Sequence, residues 1–82
     1  MLTFDECRTI VDHEFGEPVA VDGFEDHDAC LVTLQRVADD EALGLIEIGR
    51  PWLVVQRATG EIEQWPHLEY LGLVSNMRLI RR

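Results

Sequence analysis

The sequence lacks features that several classes of protein require. No apolar run approaches the length of a transmembrane helix, so we expect no membrane-spanning segment. The first six residues contain neither the positive nor the apolar region of a secretory signal, so we expect a cytoplasmic protein. Cys7 and Cys30 are the only cysteines, and in a cytoplasmic chain we expect two reduced core thiols and no disulfide.

Motifs for catalysis and cofactor binding are also missing. There is no C-x-x-C or H-x-x-x-H pair to indicate a zinc site, and no glycine-rich phosphate loop. Asp26, His27 and Asp28 are metal-ligand types, but they lack the spacing of a calcium loop and are interpreted as solvated loop residues. A cysteine nucleophile would need nearby positive charge, whereas the first half of the chain is strongly negative. We therefore expect no enzymatic activity, no cofactor and no metal.

Negative charge dominates the chain and is unevenly distributed. There is no lysine, and sixteen acids against seven arginines give a net charge of −9. Residues 1–47 contain thirteen acids and two arginines (−11), whereas residues 48–82 contain three acids and five arginines (+2), which together make −9. This charge disfavours nucleic acid or an anionic membrane as a partner and suits a protein with a basic surface. The acids expected to bind such a partner are Asp22, Glu25, Asp26, Asp28, Asp39, Asp40 and Glu41.

Local patterns in the first half predict a helix, a loop and a strand within a single domain of residues 1–82. Thr3 and Glu6 have the spacing of a capping box, and apolar residues then recur at helical spacing, which predicts a helix over residues 3–15. Residues 18–28 are interpreted as a loop, because Asp-Gly interrupts a short apolar alternation. Apolar alternation then predicts a strand over residues 30–37. One face of this strand carries Cys30, Val32 and Leu34, and the other carries Leu31, Thr33 and Gln35.

Acidic residues 38–42 are interpreted as a connection, and residues 44–48 as a further strand. A β-hairpin is the strongest local signal in the second half. An apolar run over residues 52–55 is followed by a short loop whose last residue, Gly60, can supply the positive φ that such a turn needs. The predicted cross-strand pairs are Arg57–Glu61, Val55–Glu63 and Leu53–Trp65.

The last part of the chain predicts a helix and leaves its end open. Pro66 and apolar residues at helical spacing predict a short helix over residues 66–73. Residues 74–82 are either further helix or a closing strand. The complete prediction is an α+β domain with an N-terminal helix, an antiparallel meander of three to four strands, and a C-terminal short helix or closing strand.

Two segments of the chain carry a family resemblance. The hairpin reads Pro51-Trp52-Leu53-Val54-Val55, then Gln56-Arg57, then Thr59-Gly60-Glu61-Ile62, and the first helix opens with Thr3-Phe4-Asp5-Glu6-Cys7. Both resemble the corresponding segments of small bacterial immunity proteins of the YrhB type, the immunity protein thirty-five family, although Gln56 stands where an aspartate is common. The resemblance implies an intracellular, non-catalytic protein that neutralises a cognate toxin or effector by binding it. The alternative is a structural or regulatory interaction module, as a homodimer that pairs through the edge of its sheet.

Overall fold

The fold is one antiparallel sheet with helices on both faces. The computed structural model describes residues 1–44 and 51–80, so the strand predicted over residues 44–48 lies, beyond Gly44, outside the described residues. The described strands pair in the order β4-β3-β2-β1-β5, which confirms the α+β prediction with five strands instead of three or four. The elements are α1 (Phe4–Phe15), β1 (Val19–Glu25), β2 (Ala29–Leu34), α2 (Gln35–Ala42), β3 (Trp52–Gln56), β4 (Ile62–Trp65), α3 (His67–Ser75) and β5 (Arg78–Ile80).

Helix α1 confirms the capping prediction at its start. The Glu6 backbone N–H donates to the Thr3 hydroxyl (3.2 Å), and the Thr3 N–H donates to Oε1 of Glu6 (3.0 Å). The helix ends at Gly16, whose φ of +66° is left-handed. Phe15 has the spacing of an apolar-face residue, but it is 38% exposed because the helix ends here.

Strand β1 corrects the prediction of a loop over residues 18–28. The Asp22-Gly23 pair, interpreted as a break in the apolar alternation, lies inside the strand, close to a register shift in the pairing with β2. A Cβ atom on Gly23 would lie 2.5 Å from the Leu31 carbonyl oxygen and 2.6 Å from Cζ of Phe4. Glycine is needed here because a ring and a neighbouring strand approach its backbone closely, and not because the chain turns.

Strand β2 and helix α2 correct the prediction of a strand over residues 30–37 followed by an acidic connection. The strand ends at Leu34, and the next eight residues are helical. The Gln35 N–H donates to the Pro18 carbonyl (2.9 Å), and the Gln35 side-chain amide donates to Oδ1 of Asp39 (2.9 Å) one helical turn later. These bonds hold the chain in a helix where alternation alone indicated more strand.

The hairpin of β3 and β4 is confirmed, but its register differs from the prediction by one residue. The loop contains four residues, 57–60, and is closed by a hydrogen bond from the Gln56 N–H to the Glu61 carbonyl (2.9 Å). Gly60 has the expected positive φ, +79°. The observed pairs are Trp52–Trp65, Leu53–Gln64, Val54–Glu63 and Val55–Ile62.

Arg57 explains the difference in register. Its backbone N–H donates to the Asp28 carbonyl and its carbonyl accepts from the Leu2 N–H, both at 2.9 Å. Both backbone groups are therefore bonded away from β4, and Arg57 does not pair with Glu61. The shift places Ile62 beside Val55, on the face that α1 covers. The predicted register would have turned a glutamate towards that face instead.

Helix α3 and strand β5 complete the sheet. The predicted C-terminal helix is confirmed as α3, which continues to Ser75. Of the two alternatives for residues 74–82, the closing strand is present as β5, and residues 81 and 82 lie outside the described residues. In that strand Leu79 pairs with Phe24 of β1. The ring of Tyr70 on α3 stacks on Trp65 of the edge strand β4, with ring centroids 4.6 Å apart. This contact packs the helix against that edge of the sheet.

The central strand β2 separates two apolar cores, as its predicted alternation requires. Cys30, Val32 and Leu34 face α1 and α2. Ala29 and Leu31 face α3. Burial on both faces fixes β2 in the middle of the sheet and places its two ends at opposite sides of the molecule.

Candidate functional site

The structure divides the acids predicted to bind a partner into two groups. One group lies at the start of β2, in and before the β1–β2 turn, and the other lies in α2, after the end of β2. The six residues of β2 correspond to about 20 Å of strand between the two groups. The first group is Asp22, Glu25, Asp26 and Asp28, and the second is Asp39, Asp40 and Glu41.

In the turn group, Asp26 and Glu25 each have a structural role. Oδ1 of Asp26 accepts hydrogen bonds from the backbone N–H groups of Asp28 and Ala29, both at 2.8 Å, which closes the β1–β2 turn. Glu25 forms an ion pair with Arg78 across the β1–β5 pair, and its side chain is only 12% exposed. Both carboxylates stabilise the fold through these contacts, so neither is well placed to bind a partner.

The helix group belongs to a larger acidic surface. Helices α1 and α2 cover the same face of the sheet, because Phe4, Cys7 and Val11 of α1 and Val37 of α2 all pack on one core. Their outward sides therefore form one layer. We call it the acidic helical layer; its acids are the exposed Asp5, Glu6, Asp12, Glu14, Asp39 and Glu41 and the half-buried Asp40, together with the half-buried Glu17 just after α1.

The arginines of this layer leave much of its negative charge uncompensated. The Arg8 guanidinium turns inward and donates to the carbonyls of Val19 (3.0 Å) and Ala20 (2.8 Å), with a longer contact to Asp5. Arg36 pairs with Glu17 at 3.1 Å. In the described part of the chain, no side-chain hydrogen bond or ion pair engages the carboxylates of Asp12, Glu14, Asp40 and Glu41.

Sequence reasoning did not include the acids of α1 in the site. The helical spacing of Asp12 and Glu14 indicates only that they face solvent. Their proximity to the acids of α2 depends on both helices lying on one face of the sheet. That arrangement could not be predicted while residues 35–42 were interpreted as strand and connection.

Helix α2 carries its charges against its own dipole. Asp39, Asp40 and Glu41 lie towards its C-terminus, where the backbone carbonyls already concentrate negative charge, and no acid lies in its first turn. Leu34 provides no side-chain cap, and none of the helical residues is fully buried. By contrast, α1 has Asp5 and Glu6 in its first turn. The acids of α2 therefore reduce the stability of their helix, which a purely structural role does not explain.

No family model, curated protein or solved structure matches the chain. Within residues 1–44 and 51–80, no three His, Cys, Asp or Glu side chains are grouped so that they could hold a metal ion. No described helix is long and apolar enough to cross a membrane.

The two cysteines are core residues, as expected. Cys7 and Cys30 are free thiols with no exposed surface, and they lie in the same core cluster. Burial raises the pKa of the Cys30 thiol to about 12 and also raises the pKa of Cys7, although the positive charge of Arg57 acts in the opposite direction. Burial is thus the main cause, ahead of the acidic charge of the chain. Both thiols are protonated and shielded at neutral pH.

We expect neither thiol to react with Ellman's reagent at neutral pH until the protein is unfolded. Between pH 9 and about 12 the unfolded chain loses the Cys30 thiol proton before the native protein does, so this thiol should lower the free energy of unfolding by about 1.4 kcal/mol per pH unit. Urea titrations across this range measure the slope. A Cys30→Ala variant should lose the contribution of this thiol to the slope; an unchanged slope, or rapid labelling of the native protein, would contradict the assignment.

Proposed function

We propose that this protein is a non-catalytic, immunity-type inhibitor that binds a cognate bacterial toxin or effector through the acidic helical layer. The observation that carries the proposal is the acidic end of α2, whose charges oppose the helix dipole and lack basic partners among the described residues. Carboxylates displayed in this way suit a basic cleft such as the substrate site of a nuclease or another enzyme acting on anions. The hairpin resemblance to immunity proteins points in the same direction.

The direct test is protection of cells. An immunity gene is expected immediately downstream of a large gene whose C-terminal domain resembles a toxin. Co-expression should restore growth of cells that produce that domain, and the two purified proteins should form a 1:1 complex. Failure to protect cells from any neighbouring effector would reject the proposal.

Two charge reversals show whether association with the toxin depends on the charge of the acidic helical layer or only on the net charge of the protein. Glu41→Lys on α2 and Glu69→Lys on α3 change the net charge equally, and both glutamates are exposed. Glu41→Lys should slow association with the toxin several-fold at low salt, because it removes charge from the acidic helical layer. It should also stabilise the protein by about 0.3–1 kcal/mol, because a cation then lies near the C-terminus of α2.

Glu69→Lys should have the opposite effect on stability, since Glu69 lies favourably in the first turn of α3. Its effect on association should be smaller. A triple reversal of Asp39, Asp40 and Glu41 to lysine should slow association by about tenfold or more and weaken its salt dependence. Stopped-flow kinetics at several salt concentrations measure these rates. Equal rates for the two single variants would show that only net charge matters and would exclude the layer as the contact.

The alternative is a structural or regulatory interaction module that forms a homodimer. The observation in its favour is the apolar exposure of the C-terminal part: Leu71 and Leu73 of α3 are 58% and 54% exposed, and Leu79 on the edge strand β5 is 46% exposed. Light scattering on a gel-filtration column tests this alternative. A mass near 9.4 kDa at all concentrations would reject it.

A further inference from the structure

A polar cleft of about 290 Å³ opens at the end of the sheet where the β1–β2 turn, the β3–β4 loop and the start of β5 meet. It lies away from α2, beyond the opposite end of β2, and is separate from the acids of the proposed contact. Two arginines line it, in a chain that has an excess of nine negative charges. Its lining residues are Glu25, Asp26, His27, Arg57, Asn76 and Arg78.

Arg57 is held rigidly in the wall of this cleft. Its Nε donates to the Leu2 carbonyl (2.8 Å) and its Nη1 donates to the Asp26 carbonyl (2.7 Å). Its backbone N–H and carbonyl are also bonded, to Asp28 and Leu2. The guanidinium has further N–H donors beyond these two, and their direction is fixed by the bonds already made. The site is thus organised before any ligand binds.

The charge of Arg57 has no carboxylate partner among the described residues. Arg8, Arg36 and Arg78 each form an ion pair, with Asp5, Glu17 and Glu25 respectively. Arg57 instead uses two neutral carbonyls, although it is only partly exposed. A partly buried guanidinium without a counter-ion, beside an open cleft, attracts an anion with planar oxygen geometry.

The remaining charges of the cleft select the kind of anion. Glu25 and Arg78 neutralise each other, and Oδ1 of the Asp26 carboxylate is engaged by its own turn. The Asp26 carboxylate keeps its negative charge, so the charges that line the cleft sum to zero. Arg57 is nevertheless the lining cation that has no ion-pair partner among the described residues. The field of a −9 protein opposes a dianion more strongly than a monoanion, which disfavours phosphate. A carboxylate matches both the single charge and the fork of the guanidinium.

We propose that this cleft binds the carboxylate of a small ligand or of a peptide C-terminus, with Arg57 as its anchor. The test is an NMR titration of the wild-type protein with sodium acetate against sodium chloride at matched ionic strength. Acetate should cause saturable shifts with a millimolar dissociation constant at the Arg57 Nε–H group and the amides of His27 and Asn76. Shifts that are linear, or equal for acetate and chloride, would overturn the proposal.

Two substitutions are expected to change the affinity for acetate in opposite directions. Arg57→Lys keeps the charge but loses the fork, so acetate should bind at least tenfold more weakly. Glu25→Gln removes the competing carboxylate and frees Arg78, so acetate should bind several-fold more tightly. Thermal unfolding checks that each variant folds, and if Arg57→Lys does not, the Glu25→Gln result decides alone. Unchanged or weaker acetate binding by Glu25→Gln would overturn the proposal.

The source of the carboxylate is distinguished with N-acetyl-triglycine as its free acid and as its amide. Tighter binding of the acid than of acetate indicates a peptide C-terminus, and equal affinity indicates a small carboxylate. Binding of the amide as tight as that of the acid would overturn the proposal. The Glu41→Lys variant should bind acetate like the wild type, so this result stands or falls independently of the proposed inhibitor function.

Discussion

Gly23→Ala should destabilise the protein by about 3 kcal/mol, a large part of the total stability expected for a domain of this size. The added Cβ would lie 2.5 Å from the Leu31 carbonyl oxygen and 2.6 Å from the Phe4 ring. The ring is buried against the core and the carbonyl belongs to the central strand, so neither can move away cheaply. Calorimetry should show Tm lower by roughly 10–20 °C.

Gly72→Ala is the matched control for this prediction. It adds the same methyl group inside helix α3, where a Cβ would have no neighbouring atom within 4 Å. Alanine is the better helix former, so this variant should be more stable by up to about 1 kcal/mol. The two substitutions should therefore shift Tm in opposite directions. A Gly23→Ala protein as stable as the wild type would show that β1 does not pass Phe4 as closely as described.

Arg57→Ala should cost about 2–4 kcal/mol, because it removes two charged hydrogen bonds that join distant parts of the chain. These bonds connect the hairpin to Leu2 and to Asp26, which lie 55 and 31 residues away in sequence. Without the guanidinium, both carbonyls lose these donors, and Leu2 keeps only the hydrogen bond from its own N–H to the backbone carbonyl of residue 57. Urea unfolding followed by tryptophan fluorescence measures the change.

Arg36→Ala provides the comparison for Arg57→Ala. It makes the same substitution at an exposed residue whose side chain pairs with Glu17 on the surface, so its cost should stay within about 1 kcal/mol. Arg57→Lys should lie between the two, since an ammonium group cannot reproduce the fork that reaches both carbonyls. Equal stabilities of the Arg57→Ala and Arg36→Ala variants would show that Arg57 stabilises the fold no more than an exposed surface arginine does.

Several elements of this fold could be predicted from short stretches of sequence. Helix α1 is specified by the Thr3–Glu6 capping box and by apolar residues at helical spacing, all within one segment. The hairpin follows from an apolar run and the positive φ that Gly60 supplies. The alternation in β2 correctly predicted which side chains share a core. In each case the interactions that form the element lie within a few residues.

Strand β1 and helix α2 could not be predicted in this way. The Asp22-Gly23 pair has the composition of a turn, and only the ring of Phe4, from another element, shows why glycine stands inside a strand. Residues 35–37 continue the alternation of β2, and the hydrogen bond from Gln35 to Pro18 identifies the point where the helix begins. Local pattern and tertiary contact disagree at both places, and the tertiary contact prevails.

The candidate site divides in the same way. The net charge led to the prediction of a basic partner. The positions of the acids in the sequence led to the choice of Asp39, Asp40 and Glu41, three acids of the acidic helical layer. The contribution of α1 to that layer depends on two helices sharing one face of the sheet. The structural use of Glu25 and Asp26 depends on partners that sequence spacing does not reveal.

The sequence by itself determined the first helix, the presence of the hairpin, the buried and reduced thiols and the sign of the charge. Those features depend on composition or on hydrogen bonds and apolar periodicity within one segment. Only the tertiary structure decided the register of the hairpin, the strand through Gly23, the acidic helical layer and the cleft beside Arg57. Each of these depends on contacts between segments far apart in the chain, and such contacts form only when the sheet and both of its cores are assembled.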